Sequence, residues 1–154
     1  MILDERGEFA DATALNTGAA GTYLIGDVID LSDAYGFNGQ NINDVDGVYL
    51  VIQVDTAALS GGAATVQFSL ASDAQAAIAT DGSATIHWQS GAIPKATLIA
   101  GYTVIQVALP KGIPNYERYL GVLQTTGVAA LTAGKVNAFL TMQPANWRAY
   151  NNAI

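Results

Sequence analysis

Short runs of alternating apolar and polar residues dominate the chain, and no stretch sustains a helical period. Residues 65–70 alternate most cleanly, with Val66, Phe68 and Leu70 on one side and Thr65, Gln67 and Ser69 on the other. Successive side chains of an extended chain point to opposite faces, so this run predicts a strand buried on one side. Residues 48–55 repeat the pattern through Val48, Leu50, Ile52 and Val54, and residues 103–109 through Thr103, Ile105, Val107 and Leu109. Residues 23–31, 83–90, 119–125 and 135–142 are further strand candidates. Alternation within 83–90 sets Ala84, Ile86 and Trp88 opposite His87 and Gln89, which predicts a plain surface position for His87.

Turn chemistry separates these runs. Ser60-Gly61-Gly62, Asp81-Gly82 and Thr132-Ala133-Gly134 are tight connections, and residues 32–47 form a loop rich in Gly, Asn and Asp. Ser72 or Asp73 is placed to cap a short helical turn running through Ile78. About seven or eight short strands without a long helix predict an all-β chain. The expected architecture is an antiparallel β-sandwich, and eight strands fit a jelly roll.

Residues 1–22 follow no clear period. Ile2, Leu3 and Phe9 stand among acids, followed by a stretch of small residues. They read as an extended N-terminal arm with a few apolar anchors; a terminus holding one edge strand is the alternative. Residues 23–154 are then the sandwich domain. No repeat or linker divides it, and 154 residues suit one domain.

Composition sharpens this picture. Only 12% of residues are charged, and 51% are hydrophobic, which excludes a disordered chain. So little charge suits a surface partly covered by other subunits. Residues 1–81 hold twelve acids and one base, a balance of −11, whereas residues 82–154 carry +4. Either folding mixes the two halves, or acidic and basic surfaces pack against each other between copies. The chain has no Lys/Arg run, which disfavours direct nucleic-acid binding. Its charge-free runs are too short and too polar to span a membrane, and the N-terminus lacks the features of a signal peptide. The expectation is a soluble protein, intracellular when made.

Candidate chemistry is sparse. With one His and no Cys, a zinc site of several such ligands within one chain is impossible. A Ser-His-Asp triad would need His87, and no Gly-x-Ser-x-Gly elbow is present. Asp44-Val45-Asp46-Gly47 fails the spacing of a calcium loop, because Ile42 and Gln53 would fall on ligand positions. No nucleotide-cradling loop occurs. The expectation is a non-enzyme with no metal, cofactor or catalytic residue.

Several motifs, in order, give the chain a likeness. They begin with Met1-Ile2-Leu3-Asp4 and residues 9–12, then Ser-Gly-Gly-Ala-Ala-Thr-Val-Gln-Phe at 60–68 and Gly-Ser-Ala-Thr at 82–85. Gly101-Tyr102, Leu109-Pro110 and Tyr-Glu-Arg-Tyr-Leu-Gly-Val at 116–122 follow. Leu-Thr-Ala-Gly-Lys-Val-Asn-Ala-Phe-Leu at 131–140 comes last, before Trp147 and Tyr150. With these, the chain resembles the jelly-roll capsid cement (decoration) proteins of short-tailed double-stranded DNA phages. The resemblance covers nearly the whole chain. It implies a structural virion protein made in the host cytoplasm and attached to the outer surface of the head. There it would tie neighbouring major capsid protein subunits together, as a self-associating, dimer-forming partner. A β-sandwich module that binds glycans or surfaces is the competing expectation; Trp88, Trp147 and the tyrosines are its only aromatic material.

Two candidate interfaces follow. Strand alternation would pair Tyr116 with Arg118 and Glu117 with Tyr119, and Tyr and Arg are enriched at binding hot spots. The alternative has both tyrosines packing the rim of their own domain. The second candidate is the arm, through Ile2, Leu3 and Phe9.

Overall fold

The computed structural model describes residues 5–31, 47–112 and 114–142. Nine strands are present: β1 (Glu8–Ala14), β2 (Gly21–Asp30), β3 (Tyr49–Leu59), β4 (Thr65–Asp73), β5 (Thr85–Gln89), β6 (Ile93–Pro94), β7 (Thr103–Ala108), β8 (Tyr119–Gly127) and β9 (Ala133–Thr141). One sheet has the order β1-β9-β3-β7 and the other β2-β8-β4-β5, with β6 also pairing β4. Every pairing is antiparallel.

β5 and β6 occupy one edge of the second sheet, one after the other. Counted together they leave eight positions, and every connection except that from β4 to β5 crosses from one sheet to the other. This is the jelly-roll arrangement expected from the strand count. The alternation of β3 and β4 has its predicted result: Leu50, Ile52, Val66, Phe68 and Leu70 are all fully buried in the core between the sheets.

For the N-terminal region the structure takes the edge-strand alternative to an extended arm. Residues 8–14 are an edge strand paired with β9, and Phe9 (1% exposed), Ala10 and Leu15 belong to the central core. The acids and alanines of Glu8–Ala14 hide this strand, and two register irregularities break its period. Gln124, fully buried on β8, fixes the turn that follows. Its Oε1 accepts from the Asn16 N–H (2.8 Å), and its Nε2 donates to the Asn16 carbonyl (3.0 Å). Ile2 and Leu3, the 32–46 loop, Trp147 and Tyr150 lie outside the described residues.

The helical turn after Ser72 does not form. Residues 74–77 are bends, because so short a run cannot offset the cost of helix nucleation. The Asp73 carboxylate instead accepts from the N–H groups of Gln75 and Ala79, each at 3.0 Å. These bonds hold its pKa below the ordinary value, the Ala79 bond contributing most. The loop folds Ile78 onto a small second cluster with Ala71, Ala84 and Leu123. Gly121 makes room for it: a Cβ there would lie 2.6 Å from Ile78 Cδ1.

Candidate functional site

The segment between β7 and β8 was the strongest candidate, and its geometry is specific. Leu109 is buried, and its N–H donates to the Val48 carbonyl, extending the β3–β7 ladder by one step. The chain then leaves the first sheet and joins the second at Tyr119. Residues 116–118 are not yet in a strand, so strand alternation does not order them.

Tyr116 turns inward and packs against the central core. Its hydroxyl donates to the Pro110 carbonyl at 2.8 Å, closing the segment on itself. Its ring stacks on His87 with centroids 3.8 Å apart and planes 19° from parallel. Burial pushes the Tyr116 phenol up to about 12. The Glu117 N–H donates to Ser72 Oγ at 3.0 Å, and Glu117 Oε1 accepts from Thr85 Oγ1 at 2.6 Å.

Arg118 faces outward. Its Nε lies 3.1 Å from Asp30 Oδ1 and its Nη2 2.8 Å from Oδ2, a two-pronged contact with the end of β2. Its Cζ lies 4.9 Å from the centre of the Tyr119 ring. The expected pairing of Arg118 with Tyr116 is therefore replaced by Arg118 over Tyr119, because the strand starts only at Tyr119. With the arginine side chain 53% exposed, the ion pair is worth about 0–1 kcal/mol. The contact with the ring is worth about 0.5–1 kcal/mol. Of the seven candidate interface residues, Phe9 and Tyr116 pack their own domain. Glu117 is tied to β4 and β5, Arg118 and Tyr119 form the outward face, and Ile2 and Leu3 are not described.

His87 is the residue that sequence reasoning misjudged. A bulge sits opposite the step from Leu70 to Ala71: Leu70 pairs with Trp88, and Ala71 pairs with Ile86. The extra residue is His87, so the faces switch across it. Trp88 packs on the core, whereas Ile86 is 39% exposed. His87 Nε2 lies 2.7 Å from Ser72 Oγ. A serine, a histidine and a glutamate thus share one corner, but not as a nucleophile and its base. Ser72 is completely buried, its oxygen already receives the Glu117 N–H, and the Glu117 carboxylate is bonded to Thr85. The set holds the chain in place. A regular strand pattern gives no sign of a bulge, so only a lone His within an alternating run hinted at this role.

Elsewhere, the outer face of the second sheet carries a shallow groove of about 160 Å³ between Thr22, Gln67, Ser69, Ile86 and Thr125. This is below the several hundred Å³ typical of small-molecule sites. Among the described residues no three His, Cys, Asp or Glu side chains cluster in a way that could hold a metal ion. No described helix is long and apolar enough to cross a membrane.

The model of the Bbp16 family matches residues 9–140, from Phe9 in β1 to Leu140 in β9. The chain belongs to the Bbp16 family. The match covers all nine strands and marks the chain as phage-associated. A search of curated proteins found no match. The segment 110–119 lies within the family span, as do His87 and Ser72.

Proposed function

We propose that this Bbp16-family protein is a capsid cement protein. It binds the outside of an assembled phage head and ties neighbouring major capsid protein subunits together. The observation that carries the reading is the family match across the whole sandwich. The motifs at 60–68, 116–122 and 131–140, with their resemblance to jelly-roll cement proteins, support it. The internal use of Ser72, His87 and Glu117 fits a structural role better than a catalytic one.

In this reading the outward face at Arg118 and Tyr119 is one contact surface. Several modest contacts, repeated over a shell, reinforce it without one strong bond. Self-association as a dimer would double the contacts of each attached unit. The test is co-sedimentation of the purified protein with phage heads assembled without it. Saturable binding to the outside of the heads, with delayed thermal disruption, is the expected result. Heads that sediment without it would remove the reading.

A further inference from the structure

Ser72 Oγ has one hydrogen to give, and it sits between two nitrogens. It accepts the Glu117 N–H at 3.0 Å, and His87 Nε2 lies 2.7 Å away. When His87 is neutral with its proton on Nδ1, the bonds run in one direction. Glu117 N–H donates to Ser72, and Ser72 O–H donates to His87 Nε2. When His87 is protonated, Nε2 becomes a donor as well. Ser72 then faces two donors, and its own hydrogen, on a fully buried side chain, must find another acceptor. We infer that His87, Ser72 and the Glu117 amide form an acid-sensitive latch that holds residues 114–118 on the second sheet and loosens them when His87 is protonated.

The charged groups around the latch bear on its sign. From β4, Asp73 is engaged with the Gln75 and Ala79 amides. From the segment, Arg118 is engaged with Asp30 of β2, Lys111 lies at the far end, and Tyr116 stacks on the imidazole. The Glu117 carboxylate favours the imidazolium, but desolvation of the ring outweighs it and draws the His87 pKa below 6.5. The unfolded or opened chain therefore binds more protons than the closed one in the window below about pH 6.5. The latch's stabilisation is complete above that pH and is lost as the pH falls through the depressed pKa.

The test is amide hydrogen exchange on the intact protein from pH 7.5 to 5.0, corrected for intrinsic rates, with NMR titration of His87. The opening constant of the Glu117 amide should rise by up to about tenfold per pH unit from 6.5 down to the depressed pKa and level off below it. The Val122 amide in β8 should not change. His87→Phe keeps a ring against Tyr116 and should remove the pH dependence, and His87→Gln serves the same purpose if that variant fails to fold. Ser72→Ala should move the His87 titration back toward its ordinary value. Flat protection of Glu117 across the range would overturn the latch, as would the same pH dependence in the His87 variants.

Discussion

Gly26 carries φ of +63° inside β2, and a Cβ on it would lie 1.9 Å from the Phe9 carbonyl oxygen. Left-handed backbone and lack of space both exclude a side chain at this place, where β1 of one sheet passes β2 of the other. The β2–β8 ladder is irregular between Ile25 and Ile29, as a strand that bends there must be. Gly26→Ala should destabilise the fold by about 2–5 kcal/mol, combining backbone strain with an overpacked contact. Urea unfolding checks this, and a loss below about 1 kcal/mol would mean that the two strands separate freely at this corner. Neither Gly26 nor His87 could be weighed from the sequence. The meaning of each lies in what it touches across the sandwich, and local pattern says nothing of that. Residue types alone are legible without a fold: one histidine and no cysteine leave no zinc site of several such ligands within one chain.

At the scale of elements, legibility followed the regularity of burial. β3, β4, β8 and β9 each bury a continuous or alternating set of large apolar residues, and their expected positions lie within a few residues of those observed. β1 was legible only as an alternative to an arm, since Phe9, Ala10 and Leu15 supply the core contacts and its bulges shift the register. The position of residues 116–119 was legible but their orientation was not, because residues 116–118 precede the strand and do not alternate. The corrected β1 changes an expectation. Were residues 1–12 a docking arm, their deletion would spare the thermal midpoint. As it stands, the deletion removes Phe9 and most of a strand paired with β9. Loss of a buried Phe alone costs about 3–5 kcal/mol. The midpoint should fall by roughly 10 °C or more, as calorimetry would record; an unchanged midpoint would restore the arm.

At the scale of the whole molecule, the strands among the described residues do not keep the two halves of the chain apart. β1 pairs with β9, β2 with β8, and β3 with both β7 and β9, so each sheet interleaves strands from the acidic first half of the chain with strands from the second half. The Asp30–Arg118 pair joins the two halves directly. With only 12% of its residues charged, the chain has little material for a strong electrostatic grip. If the protein holds a shell, the strength must come from geometry. One copy touching several fixed subunits converts weak contacts into an intramolecular sum, and avidity then exceeds the affinity of any one contact by about 10²–10⁴. Binding to the isolated major capsid protein should accordingly be weaker than binding to the assembled head by at least about a hundredfold. Titration calorimetry on the subunit and saturation binding on heads measure the two sides. Equal affinities would point to one complete site on a single subunit, and such a protein would decorate a head without tying its subunits together.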